Sequence, residues 1–220
     1  SKGSLLEIQF DFQDIDQEEI DRAMKALVEK QDYYISSSNQ VYYFDDQTKR
    51  IRQDLEELGI EDLQDGAFRA RKSLAYTLSR LFEDQDQIFF TEEFRHLAHD
   101  LTHPEDFPMK ELNIQAELRD YQKRGIQWLQ MLHHYGFGGI LADDMGLGKT
   151  LQTIAFLSSQ VQADTSVLIL APSGLIYNWA DEFQKFAPDL DVVVVHGLKS
   201  HRESILAENH QIYVTSYATF

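Results

Sequence analysis

One stretch constrains the fold more than any other: a short apolar run, a loop broken by glycines, and then Lys149-Thr150 at the start of a helical pattern. The run from Gly139 to Ala142 predicts a buried strand, and apolar residues with helical spacing follow Thr150. Glycines let successive main-chain N–H groups turn toward one anion, and a helix N-terminus adds its own unpaired N–H groups and its dipole. The order strand, loop, helix therefore predicts a site for the phosphates of a nucleotide.

The residue types of the loop suit that chemistry. Lys149 supplies positive charge for the β- and γ-phosphates, and the Thr150 hydroxyl is expected to bind Mg²⁺. The strict Walker pattern has glycine where Asp143 stands, so the match is to a shortened form of the loop. A glycine-rich turn with a chance lysine is the alternative interpretation. The remaining residues of the predicted phosphate-binding set are Gly146, Leu147 and Gly148.

The charge of the 220 residues is strongly negative and uneven. The formal net charge is −17, and residues 1–115 hold about 13 Lys and Arg against about 26 Asp and Glu. Because duplex DNA is bound by neutralising phosphates, any DNA contact is expected in the second half. There is no run of apolar residues long enough to cross a bilayer, so we expect a soluble intracellular protein without a membrane partner. The absence of cysteine excludes disulfides and cysteine-bound zinc within these residues.

The first half has the mixed strand and helix patterns of an α+β domain. The paired tyrosines of its predicted hairpin could stack on bases, but the acidic surroundings favour packing between strands. Asp16 is expected to cap the first helix, with Glu19 as its return partner. The predicted elements are a strand at 6–12, a helix from Asp16 through Val28, a hairpin of 33–35 with 41–44, a helix ending at Gly59, a helix at 67–82, a strand at 88–90 and a helix after Thr91.

A polar stretch with two of the four prolines, His103 to Pro108, indicates a linker. We therefore predict an accessory domain at 1–107, a linker at 108–116 and a second domain at 117–220. In the second domain a helix precedes the phosphate loop, and continuous Val, Ile and Leu runs then alternate with helices. The expected fold is α/β with a parallel sheet covered on both faces. Its predicted elements after the loop are strand 166–171, helix 175–186, strand 192–195, helix 200–208 and strand 211–215.

Residues from about 117 to 220 resemble the SWI/SNF-type ATPases of helicase superfamily two, the DNA translocases related to chromatin remodellers. The matching segments occur in family order, and as a set they are highly specific. They are Leu118-Arg119-Asp120-Tyr121-Gln122 with Gly125 and Trp128-Leu129, the loop from Gly139 to Thr150, the segment Leu168 to Ser173 with Asn178-Trp179 and Glu182-Phe183, His196-Gly197, and Val214 to Tyr217.

The resemblance implies a RecA-like ATP-binding lobe that uses ATP and Mg²⁺ and acts on duplex DNA. It implies that the Gln122 amide reads the adenine edge, since an amide both donates and accepts hydrogen bonds, and that Arg119 supports that pocket. Lys149 and Thr150 are the implied catalytic residues among those present. The implied candidates for contact with the DNA backbone are Pro172, Ser173, Ser216 and Tyr217.

The first half resembles, less specifically, the accessory domain that precedes the motor in bacterial members of the family. The resemblance implies a bacterial protein of the cytoplasm that is associated with the nucleoid. The family's acidic box, which positions Mg²⁺ and activates water, has no match in the 220 residues, and neither has the second RecA-like lobe with its arginine fingers. We therefore expect the chain to bind ATP weakly, to hydrolyse essentially none, and to self-associate through a truncated sheet edge. Two alternatives stay open: a non-enzymatic regulatory module that retains a nucleotide site, and another P-loop NTPase such as a kinase.

Overall fold

The computed structural model describes residues 5–9, 17–61, 63–64, 67–83, 90–162 and 164–219. The chain divides into two compact units, Ser1–His99 and Asp100–Phe220. Among the described helices, none is both long and apolar enough to span a membrane. The predicted domain bounds stay a prediction.

The first unit contains two small antiparallel sheets and the helices that pack on them. One sheet has the strand order β1-β5-β4, and the other is the hairpin of β2 and β3. The predicted hairpin is confirmed, as is the α2 helix with Gly59 at a φ of +69° behind its end. The elements are β1 (Leu5–Gln9), α1 (Gln17–Val28), β2 (Tyr33–Ile35), β3 (Val41–Tyr43), α2 (Asp46–Glu57), β4 (Leu63–Gln64), β5 (Ala67–Arg71), α3 (Ala75–Leu81) and α4 (Glu92–Thr102), which extends into the second unit.

The helix predicted for residues 67–82 is wrong over its first part. Residues 67–71 form β5, whose pairing with β1 includes Leu6 opposite Ala70 and Ile8 opposite Phe68. Phe68 and Ala70 are both buried, as the alternating side of a strand requires. Helical and strand spacing cannot be separated over so short a segment, and here the pairing with β1 decided between them.

Two further predictions about the first unit concern Glu19 and the tyrosines of the hairpin. Glu19 Oε1 accepts a hydrogen bond from the Ser37 N–H at 2.7 Å, and the predicted pairing of Glu19 with Asp16 involves a residue outside those that the structure describes. The rings of Tyr33 and Tyr43 lie 5.7 Å apart and those of Tyr34 and Tyr42 stack at 5.2 Å, so the tyrosines pack across the two strands as predicted, although Tyr43 is 76% exposed. The predicted cap at Asp16, strand positions 10–12 and strand positions 88–89 fall outside the described residues.

The second unit is built on a parallel sheet, which confirms the predicted α/β class. Its three strands have the order β6-β8-β7, and all neighbours are parallel. One face packs against α6 and α7 around Ile154, Ile176 and Phe183. On the other face Leu168 is 47% exposed, so the prediction of two covered faces is wrong for β6. The elements are α5 (Asp120–Tyr135), α6 (Lys149–Gln160), β6 (Val167–Ala171), α7 (Ile176–Phe186), β7 (Val192–Val195), α8 (Lys199–Ala207) and β8 (Ile212–Ser216).

The strand predicted at Gly139–Ala142 is absent. Residues 137–144 form neither helix nor strand, and Ile140 is 86% exposed. An apolar run becomes a strand only where a neighbour pairs with its main chain, and none of the described strands does so. The run instead passes close to α5: a Cβ on Gly139 would lie 2.4 Å from Leu132 Cδ1.

The residues predicted as a linker, 108–116, are bound to the second unit along their length. Lys110 N donates to Gln130 Oε1 at 2.9 Å, and Gln115 N donates to the Phe186 carbonyl at 2.7 Å. Ile114 packs against the core beside the sheet. A polar, proline-flanked composition therefore indicated irregular structure correctly, but it did not show that this segment is held in place.

Candidate nucleotide-binding site

The phosphate loop turns through two glycines into the start of α6. Gly146 has a φ of +85° and Gly148 a φ of +78°, a region that other residues rarely adopt. Gly148 is the N-cap residue of α6, so the helix begins at Lys149 with its unpaired N–H groups facing the loop. This geometry is the one that suits a phosphate group.

Lys149 directs its ammonium group back over the loop. Lys149 Nζ donates to the carbonyl oxygens of Asp143 at 2.7 Å and Asp144 at 2.9 Å. The carbonyls hold the ammonium group beside the first turn of α6, where Thr150 is half-buried. The ammonium and the hydroxyl predicted for phosphate and Mg²⁺ thus belong to one turn of the chain.

Gln122 joins the helix before the loop to the loop itself. Its side chain is buried, Nε2 donates to the Leu147 carbonyl at 3.2 Å, and Oε1 accepts from the Arg119 N–H at 3.0 Å. Tyr121 also donates through its hydroxyl to the Leu147 carbonyl, at 3.2 Å. An amide has two N–H donors and two acceptor sites, so Gln122 retains one of each with which to read a base edge.

The approach between α5 and the loop is close enough to require glycine. A Cβ at Gly148 would lie 2.7 Å from Gln122 Nε2, well inside a normal contact. Arg119 is exposed at the start of α5, next to Gln122. The structure therefore brings Gln122, with the adjacent Arg119, to the glycines of the phosphate loop, which lie more than twenty positions further along the chain.

A second glutamine, which the sequence reasoning missed, also contacts the loop. Gln152 on α6 is fully buried, and its Nε2 donates to Asp143 Oδ2 at 2.8 Å. Its Oε1 has no hydrogen-bond partner among the described residues, which costs about 1–3 kcal/mol for a buried acceptor. The sequence signal that could have pointed to this contact is Gly125, because glycine is unfavourable inside a helix. A Cβ at Gly125 would lie 2.1 Å from Gln152 Oε1.

The predicted DNA candidates gather at the carboxyl edge of the parallel sheet. Ala171 at the end of β6 pairs with Ser216 at the end of β8, which brings the two following segments side by side. Pro172 and Ser173 are exposed, and Tyr217 is 66% exposed. Ser216 is buried and its hydroxyl bonds to that of Thr219 at 2.8 Å, so its side chain does not face solvent.

The chain matches two families, one after the other. Residues 1–111 match the bacterial SNF2 helicase associated family, and residues 121–220 match the SNF2-related domain.

Individual relatives match part of the chain. The chain is 39% identical over 139 residues to the putative ATP-dependent helicase/translocase YwqA of Bacillus subtilis, which is 60% of this chain and 15% of that protein. It is 44% identical over 110 residues to the ISWI chromatin-remodeling complex ATPase ISW2 of Saccharomyces cerevisiae, 46% of this chain and 10% of that protein. The SWI2/SNF2 ATPase core of Sulfolobus solfataricus, solved in complex with dsDNA, is 41% identical over 50% of this chain and 24% of that chain, with a TM-score of 0.45.

The two family matches confirm the resemblance that the motifs indicated. The chain spans 15% and 10% of the two curated relatives named above. Because the helicase-associated match covers half of the chain and the SNF2-related match covers residues 121–220, the chain belongs to the SNF2 family, with a bacterial helicase-associated domain ahead of its SNF2-related domain.

Proposed function

We propose that this chain contains the nucleotide-binding part of a DNA translocase that couples ATP hydrolysis to movement on duplex DNA. The observation that supports the proposal is the hydrogen bond from Gln122 Nε2 to the Leu147 carbonyl, because it joins the candidate adenine-reading residue to the phosphate loop. Relatives whose names describe ATP-dependent helicases and a chromatin-remodelling ATPase support it.

We assign one task to each residue of the site. Gln122 uses its remaining donor and acceptor on the adenine edge, and Arg119 supports that pocket. Lys149 exchanges the two loop carbonyls for phosphate oxygens, since a charged acceptor binds an ammonium group more strongly than a carbonyl does. The Thr150 hydroxyl binds Mg²⁺. The main-chain N–H groups of Gly146, Leu147 and Gly148 complete the phosphate cradle.

Duplex DNA is the proposed partner of the carboxyl edge of the sheet. Exposed Pro172, Ser173 and Tyr217 stand side by side there, and phosphate contacts of this kind position a duplex without reading its sequence. The helicase/translocase name of the Bacillus subtilis relative is in keeping with such a partner. Ser216 would contribute through its main chain.

We further propose that the 220 residues alone bind ATP weakly and do not hydrolyse it. An activated water and an arginine finger together raise the rate of hydrolysis by at least about 10³. The residues that supply them in the family lie on segments with no match in the sequence given.

The acidic first unit is proposed to regulate the motor by repelling or imitating DNA. The proposed location is the bacterial cytoplasm, with the nucleoid. Self-association is proposed to occur through an edge of the parallel sheet, since a sheet edge offers unpaired main-chain groups to another chain.

Titration of a fluorescent ATP analogue with Mg²⁺ tests the nucleotide site. The chain is expected to bind, and Lys149→Ala is expected to abolish binding while circular dichroism stays unchanged. Binding that survives Lys149→Ala would refute the assigned site. In a longer protein that contains both lobes, ATP hydrolysis should rise on addition of duplex DNA, and a rate that DNA does not change would favour the non-enzymatic alternative.

A further inference from the structure

Gln152 is a polar side chain in the interior of the second unit, where most buried side chains are apolar. It is fully buried on α6, one turn after Lys149, and its only described partner is the carboxylate of Asp143. Asp143 stands where the strict Walker pattern has glycine. The residue that departs from the Walker pattern, Asp143, is therefore the one that contacts the buried amide of Gln152.

That contact lies directly behind the ammonium group of Lys149. Asp143 presents its side chain to Gln152 at 2.8 Å and its main-chain carbonyl to Lys149 Nζ at 2.7 Å. Asp143 is thus bound through its side chain by Gln152 and through its main chain by Lys149, the predicted phosphate-binding residue. A shift of Asp143 would move the carbonyl that sets the place of the ammonium group.

The other end of the Gln152 amide is fixed by α5. Its Oε1 is directed at Gly125, where a Cβ would lie at only 2.1 Å. The geometry leaves the Gly125 Cα–H as the neighbour of that oxygen, a weak interaction. The amide cannot turn over, because its oxygen would then face the carboxylate of Asp143. Gly125 and Asp143 together impose one orientation on Gln152.

We propose that Gln152 is a positioning residue for nucleotide binding, which holds Asp143 so that the phosphate loop presents Lys149 to the phosphates of ATP. The inference rests on the proposed nucleotide site and adds a residue to it. Gln152 touches no phosphate itself; it acts through Asp143, and Gly125 supplies the room that it needs.

Replacement of the amide by a carboxylate tests this role. Gln152→Glu places two carboxylates 2.8 Å apart, so both cannot be ionised together and Asp143 is displaced unless one is protonated. We expect affinity for the fluorescent ATP analogue to fall by about tenfold or more at pH 8 and less at pH 5.5. Adding Asp143→Asn restores a donor opposite the introduced carboxylate, and we expect affinity to return to within about threefold of the original.

Gln130 provides the matched control. It is a second buried glutamine of the same unit, bonded to Lys110 N and Ser159 Oγ and not to the loop. Gln130→Glu buries the same carboxylate, and we expect the affinity and its pH dependence to match the original chain. If Gln152→Glu and Gln130→Glu weaken binding alike, or if Asp143→Asn brings no recovery, the inference is wrong.

Hydrogen exchange provides a second measurement that needs no ligand. Amides of residues 143–149 should exchange faster in Gln152→Glu than in Gln130→Glu, and unchanged exchange in the loop would overturn the inference. The experiment also separates this inference from the proposed nucleotide site. If the nucleotide site is wrong, neither the original chain nor any variant binds the analogue. If only the role of Gln152 is wrong, the original chain still binds the analogue and Lys149→Ala still abolishes that binding.

Discussion

Gly125→Ala is expected to destabilise the protein, whereas replacing a helical glycine with alanine usually stabilises it. In an exposed helix interior, alanine in place of glycine stabilises by about 1 kcal/mol. At Gly125 the new methyl group would lie 2.1 Å from Gln152 Oε1, so the glutamine must move. Its 2.8 Å bond to the Asp143 carboxylate is then lost, at about 1.5–3 kcal/mol, and crowding adds about 1–3 kcal/mol. After the helix gain, we expect a net destabilisation of about 1.5–5 kcal/mol.

A double-mutant cycle separates this cause from a general sensitivity of α5. Gln152→Ala removes the side chain that the methyl group would strike, so Gly125→Ala in that background should be neutral or stabilise by about 1 kcal/mol. Urea unfolding followed by tryptophan fluorescence is the suitable assay, because the two tryptophans, Trp128 and Trp179, both belong to the second unit. Stabilisation by Gly125→Ala in the original chain, or an equal loss in both backgrounds, would refute the reasoning.

Two further predictions use the same assay. Gly139→Ala should destabilise the second unit by about 1–3 kcal/mol, because its methyl group would collide with side chains of α5. The neighbouring Gly138→Ala should change stability little, because no atom lies within 4 Å of a Cβ at that position. Equal effects of the two substitutions would contradict the close approach of Gly139 to α5. His210 contacts Asp191 at 2.8 Å and Glu208 at 3.2 Å, and the hydrogen bond to Asp191, with a smaller contribution from Glu208, raises the pKa of His210 although burial opposes it. Because the pKa of His210 is raised in the folded state, the stabilisation is full below the unfolded pKa of about 6.5 and is lost as pH rises through the folded pKa. Between about pH 6 and 8.5 the urea midpoint of the original chain should therefore fall more than that of His210→Gln. Parallel pH profiles of the two chains would contradict this prediction.

The pattern of apolar residues predicted most helices and strands because each pattern was long or bounded by clear signals. Thr91 accepts from the Phe94 N–H at 3.2 Å, as a cap before α4 should, and the parallel strands follow their predicted bounds within about two residues. The predictions failed where a short segment could satisfy two patterns. Residues 67–71 became a strand through pairing with β1, and Gly139–Ala142 did not become one because no described strand pairs with it.

Within the site, the sequence indicated which residues to examine but not how each one is held. Lys149, Thr150 and the loop glycines follow from local chemistry, since a phosphate cradle needs residues that are close together in the chain. Gln122 entered through the family resemblance, and its bond to Leu147 became visible only in three dimensions. Gln152 was missed because a glutamine beside apolar helix positions has no distinctive local signal.

The sequence by itself determined the family, the α/β class of the second half and the location of the phosphate loop, because these depend on residue order and spacing along one segment. Tertiary structure alone decided why Asp143 replaces glycine and why Gly125 lies inside a helix. Both answers depend on Gln152, which reaches Asp143 at 2.8 Å and leaves no room for a Cβ at Gly125. Such contacts join segments that are distant in the chain, and the physical constraint they impose exists only once those segments have packed together.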